Sequence, residues 1–167
     1  MIQNSETLLK RLHDEGVEFV IIGGLCNLLH GATLMTQDID VCCRFTPENL
    51  RRVEAAVRDL HPAHRQTPQR LPFTLDDRLA ADLKNLYLRT DLGVIDCLGE
   101  VAGLGDYDAV LRASVPVAFS FGRCRMLSLN ALIRSKEALA REQDLAALRQ
   151  LRAIQERAGR DLKAGEN

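Results

Sequence analysis

Apolar positions recur along the chain with two periods, about 3.6 residues in some stretches and two in others, and the switches between them mark the elements. Leu8, Leu9 and Leu12 share one helical face, so Ser5–Glu15 reads as a helix with Ser5 as its cap and Gly16 as its stop. Val17–Ile22 is rich in β-branched residues and reads as a buried strand ending in Gly23-Gly24, with a short helix over Leu25–His30. Asp38–Phe45 reads as a second strand. Thr46-Pro47 then opens a helix that carries Leu50, Val53, Val57 and Leu60 to the His61-Pro62 break. His61–Pro72 holds three prolines and reads as loop. Leu83–Arg89 and Val94–Leu98 form a hairpin around Thr90-Asp91-Leu92-Gly93. A glycine-punctuated loop, a short helix at Tyr107–Ala113 and a strand pair at Val115–Phe119 and Cys124–Leu127 follow. Ser128 caps a helix to about Ala140, and Gln143–Arg157 is a last amphipathic helix.

Helices interleaved with hairpins predict an α+β fold, a mixed β-sheet flanked by helices, rather than a doubly wound sheet. The expected division is a core over residues 1–127 with C-terminal helices over 128–167 packed on it as one unit. A chain of 167 residues with 46% hydrophobic and 27% charged residues fits that plan and excludes disordered or fibrous classes. The longest apolar runs fall far short of a membrane span, and MIQNSETLLK lacks a signal-peptide layout. Five cysteines without disulfide-like spacing read as reduced core thiols, so a cytoplasmic protein without membrane contact is expected. The net charge of −1 conceals an asymmetry: residues 1–122 hold 12 Lys and Arg against 17 Asp and Glu, and residues 123–163 hold 10 against 5. Opposite fields of this kind can close around one anionic ligand.

The chemistry concentrates in GVEFVIIGGLCNLLHGATLMTQDIDVCCR, residues 16–44. Alternation along a strand puts Asp38 and Asp40 on one face. Two adjacent carboxylates repel each other, and a hard divalent cation such as Mg²⁺ relieves the repulsion while taking phosphate oxygens as further ligands. Gly23 and Gly24 let backbone approach a ligand, and amides at the start of the next helix can receive phosphate. Other constellations are weaker. His61-x-x-His64 and vicinal Cys42-Cys43 lack zinc spacing. Cys26 and His30 stand four apart, but on an apolar helix face, where core packing is the simpler reading.

A hydrophobic strand, Gly-Gly, a thirteen-residue spacer (Leu25–Gln37) and Asp-x-Asp together resemble the nucleotidyltransferase superfamily, the DNA polymerase β-like fold. His30-Gly31 and Thr36-Gln37-Asp38-Ile39-Asp40 are similar to small stand-alone bacterial members related to abortive-infection and toxin–antitoxin nucleotidyltransferases. The resemblance implies a third carboxylate from a later strand, for which Asp96 is the candidate and turn residue Asp91 the competitor. It also implies that Lys136 faces the nucleotide phosphates, with Arg141 and Asp144 at a helix junction. Two departures stand out: Leu34 replaces a common basic residue four places before Asp38, and Leu25 follows Gly-Gly where many members have Ser. Both remove phosphate contacts.

On this resemblance Asp38, Asp40 and Asp96 are the expected catalytic and metal residues, at a site able to take two Mg²⁺ ions. Gly23, Gly24 and Lys136 are the expected nucleotide-binding residues. The expected reaction moves a nucleotidyl group from an NTP to an acceptor hydroxyl of RNA, protein or a small molecule, releasing pyrophosphate. The alternative is a non-catalytic partner protein of a toxin–antitoxin-like pair. Lys136 is further expected on a wall opposite the carboxylates, with Arg134 or Arg141, exposed enough for charge reversal to cost little stability.

Overall fold

The computed structural model describes residues 2–164. In chain order the elements are α1 (Ile2–Asp14), β1 (Phe19–Ile22), α2 (Gly23–Leu29), β2 (Ile39–Cys43), α3 (Pro47–Val57), β3 (Ala63–His64), α4 (Asp77–Asp82), β4 (Asn85–Thr90), β5 (Gly93–Leu98), β6 (Glu100–Val101), β7 (Gly105–Asp106), α5 (Tyr107–Arg112), β8 (Ser114–Phe119), β9 (Gly122–Leu127), α6 (Leu129–Leu139) and α7 (Leu145–Ala164). Short 3₁₀ turns at Arg58–Leu60 and Glu142–Asp144 follow α3 and precede α7. Seven strands form one mixed sheet in the order β3-β4-β5-β2-β1-β9-β8, and β6 and β7 make a separate small pair. The α+β expectation holds.

The three strands that matter for chemistry, β5, β2 and β1, lie side by side in the middle of this sheet. β1 runs antiparallel to β2, pairing Ile22 with Asp40, while β2 runs parallel to β5, pairing Asp40 with Asp96. Their apolar residues explain the position. Val20, Ile21, Ile39, Val41, Ile95 and Cys97 are fully or almost fully buried, and such runs are stable only when both faces of a sheet are covered. All five cysteines are free and buried.

Several local signals act as the sequence predicts. Thr46 Oγ1 accepts from the Asn49 N–H with Pro47 at the first helical position, and Ser128 Oγ accepts from the Ala131 N–H to start α6. Others are corrected. Ser5 lies inside α1, which begins at Ile2, and α2 begins at Gly23 rather than Leu25. Asp38 sits in the bend before β2, not on the strand. The stretch 61–72 contributes the edge strand β3. α4, with Asp76 as cap, has no counterpart in the sequence reading. No helix among the described residues is long and apolar enough to cross a membrane.

Candidate active site

Two glycines make room for the acidic end of the sheet. Gly23 adopts φ +63°, and a Cβ placed there would lie 2.1 Å from Asp40 Oδ2. A Cβ at Gly24 would lie 2.6 Å from Thr36 Oγ1. Any side chain at Gly23 therefore meets both the strain of a left-handed backbone and a collision with the carboxylate. The Gly24 N–H points at Asp40 Oδ2 from 3.5 Å, a distance too long for a strong bond, so the carboxylate is only weakly compensated.

Asp40 and Asp96 are cross-strand partners in a parallel pair, which puts their side chains on the same face of the sheet. Burial and then the negative charge of Asp96 push the Asp40 carboxyl above its usual range; the Gly24 amide opposes them, and smaller effects come from Asp38, which adds, and Lys136, which opposes. Burial also raises Asp96, whose residue is 8% exposed; Arg65 opposes the shift and Asp38 adds to it. The three expected carboxylates thus feel one another. Asp91, the competitor, is bound to His61 at 2.7 Å in the turn, away from this group.

Arg65 is the residue that sequence reasoning missed. It follows β3, its backbone N–H donates to the Tyr87 carbonyl at 3.0 Å, and its guanidinium lies 5.9 Å from the Tyr87 ring centre. Its Nη2 donates to Asp96 Oδ2. Asp96 Oδ1 is buried with no hydrogen-bond partner, an unusual state for a carboxylate oxygen. Among the described residues, no group of three His, Cys, Asp or Glu side chains is gathered closely enough to hold a metal ion by itself. The donor set nevertheless suits Mg²⁺, which needs only one or two protein carboxylates when phosphate oxygens complete its shell.

A cavity of about 370 Å³ opens beside Asp40 and Gly23. Asn85, Tyr87, Leu98 and Glu100 line one part, and Lys136, Leu139 and Arg141 another. Lys136 differs from the sequence expectation of an exposed lysine: it is 6% exposed, and its Nζ donates to Asp144 Oδ1 at 2.9 Å. Arg141 Nε donates to Asp144 Oδ2 at 2.6 Å. The basic wall is therefore already tied to a carboxylate. Arg134 binds the Gly103 carbonyl instead. Cys26 and His30 both turn to the Leu127 carbonyl, at 3.6 and 2.7 Å, and burial pushes the Cys26 thiol up to about 12. That pair is structural.

The mixed sheet, with its Gly-Gly turn facing carboxylates on two neighbouring strands, shares its fold with solved structures of nucleotide-transferring enzymes. The lincosamide antibiotic adenylyltransferase LnuA, in its lincomycin-bound form, superposes with a TM-score of 0.61 at 13% identity, over 92% of this chain and 98% of that one. TM1012 from Thermotoga maritima, a candidate nucleotidyltransferase, gives 0.57 at 18% identity, over 89% and 90% of the two chains. ANT(2'')-Ia in complex with adenylyl-2''-tobramycin gives 0.56 at 16% identity, over 90% and 88%. No protein-family model and no curated protein matches the sequence.

Proposed function

We propose that this chain is an Mg²⁺-dependent nucleotidyltransferase that moves a nucleotidyl group from an NTP to an acceptor hydroxyl, releasing pyrophosphate. The observation that carries the reading is the pairing of Asp40 with Asp96 on one sheet face opposite a glycine whose Cβ would collide with Asp40. Two mutually repelling carboxylates kept half-buried and under-compensated are costly for stability, and such groups concentrate where they act on a ligand. Asp38 and Asp40 would hold Mg²⁺, whose charge offsets that of the triphosphate. The acceptor oxygen forms a bond to the α-phosphorus as the bond from that phosphorus to the pyrophosphate oxygen breaks. Asp96 receives the hydroxyl proton or orients the hydroxyl. Gly23 and Gly24 let the turn close against Asp40 and Thr36 and would offer its backbone to the nucleotide, and Lys136 sets a positive charge near the phosphates. Most of the rate enhancement would come from positioning and electrostatics.

Two of the structural neighbours are named for antibiotic products or ligands, lincomycin and adenylyl-tobramycin, and one is named an adenylyltransferase. Together with a cavity of about 370 Å³ walled by Tyr87, Leu98 and Leu139, this supports ATP as donor and a small hydroxylated molecule as acceptor. A second reading, a non-catalytic partner in a toxin–antitoxin-like pair, is favoured by one observation: Lys136 spends its charge on Asp144.

The test is incubation of the protein with each α-³²P-labelled NTP and Mg²⁺, in parallel with total RNA, total protein and hydroxylated small molecules. Labelled product that disappears in Asp40→Asn supports the enzyme. Absence of product with every acceptor, together with no Mg²⁺-dependent nucleotide binding, overturns it.

A further inference from the structure

The acidic site contains a cation of its own. Asp40 and Asp96 share one sheet face as cross-strand partners, and Asp38 stands in the bend two residues before Asp40, so three carboxylates are brought to one end of the sheet. Arg65 brings one positive charge and hydrogen-bonds Asp96 directly. The unbalanced remainder is two negative charges, the charge of one divalent cation. Resting on the nucleotidyltransferase reading, we propose that Arg65 supplies at Asp96 the positive charge that a second metal ion would otherwise supply, so that the site takes a single divalent cation, at Asp38 and Asp40.

The geometry around Arg65 makes this an organised arrangement rather than a stray surface contact. The Arg65 backbone is pinned to the Tyr87 carbonyl, and Tyr87 is itself the cross-strand partner of Asp96. The guanidinium lies over the Tyr87 ring, an attractive placement for a cation. Asp96 Oδ2 is thereby occupied, and Oδ1 is buried and faces no donor. In two-metal sites the ions lie about 3.5–4 Å apart. A second dication on Asp96 would have to sit against the guanidinium as well as the first ion, and like charges repel strongly in a partly dry site.

The test counts ions rather than turnover. Mn²⁺ is titrated into the protein saturated with the α,β-methylene analogue of ATP, with free Mn²⁺ followed by its EPR signal. The expected result is one protein-bound ion in the wild type and in Arg65→Lys, which keeps the charge, and two in Arg65→Ala, which frees Asp96. Thermal melting of each variant without metal establishes that it is folded. Two ions in the wild type overturn the proposal outright, even if Arg65→Ala does not fold. One ion in both wild type and a folded Arg65→Ala overturns it as well, because Arg65 would then not be what limits the count. No bound ion in the wild type overturns the nucleotidyltransferase reading together with the proposal, so the two failures are distinguishable.

Discussion

The molecule buries acidic side chains in two places and treats them in opposite ways. At the junction between α6 and α7, Asp144 receives a hydrogen bond on each oxygen, from Lys136 and from Arg141. Burial alone would raise its carboxyl, but the hydrogen bonds from Arg141 and Lys136 more than reverse this and hold it below the ordinary range. At the centre of the sheet, Asp40 and Asp96 have too few donors between them, and both stand above that range. A buried charge that is fully partnered contributes to architecture. One left short of partners destabilises the free protein, and the shortfall is what a cationic ligand can fill.

The comparison breaks most sharply at the junction. Asp144→Ala leaves Lys136 charged, buried and alone, and should cost about 3–5 kcal/mol in urea unfolding, whereas replacing both partners in Lys136→Met/Asp144→Leu should recover most of the loss. A double variant as unstable as the single one would show that the junction depends on packing rather than charge. Lys136→Glu belongs to the same group: it sets two carboxylates against each other and should be strongly destabilising.

Gly23→Ala comes next. The left-handed backbone and the collision with Asp40 should cost about 1–3 kcal/mol, seen as a lower urea midpoint, and nucleotide binding should be lost with them. A variant as stable and as competent as the wild type would mean that the turn readily rearranges.

Asp40→Asn should behave in the reverse manner. Its apo stability should match or exceed the wild type by up to about 1 kcal/mol, while Mg²⁺ with NTP no longer raises the melting temperature. Loss of stability in this variant would place Asp40 with Asp144 as an architectural charge.

The smallest effects are in pH dependence, where the two regions should carry opposite signs. Asp40 and Asp96 bind protons more readily in the folded than in the unfolded chain, so their contribution to stability falls as pH rises from the ordinary carboxylate range through their raised values. Asp144 releases its proton more readily when folded, so its contribution is present above the ordinary range and is lost as pH falls through its lowered value. Urea midpoints against pH should therefore decline less steeply above the ordinary range in Asp40→Asn than in the wild type. In Arg141→Ala they should start lower at neutral pH and fall less on acidification than in the wild type, because less of Asp144's contribution remains to be lost.

Much of this was legible in the sequence because it is local. The strand, Gly-Gly and Asp-x-Asp order is contained in residues 17–40, and Thr46-Pro47 or Ser128 act on residues three positions away. What was hidden depends on distance. Arg65 meets Asp96 across thirty-one positions, from a proline-rich stretch with no periodicity to mark it. Lys136 looks solvated on its own helix, but it is buried and bonded to Asp144 in the turn between α6 and α7. α4 escaped notice because at six residues it is too short to display a face. Asp38 was placed on the strand because alternation cannot tell a strand's first residue from the bend before it.

The order of strands also bears on how the chain is made. β1 is hydrogen-bonded on one edge by β2, which follows shortly after it, and on the other by β9, which begins at Gly122. During synthesis at about 5–20 residues per second, the roughly one hundred residues between them leave the second edge of β1 uncovered for several seconds or more. Leu127, the last residue of β9, also offers the carbonyl on which His30 docks α2. The glycine turn that shapes the acidic site is thus clamped only after β9 has left the ribosome. Until then Phe19–Ile22 is apolar and open-edged, the kind of strand edge that invites pairing with another chain.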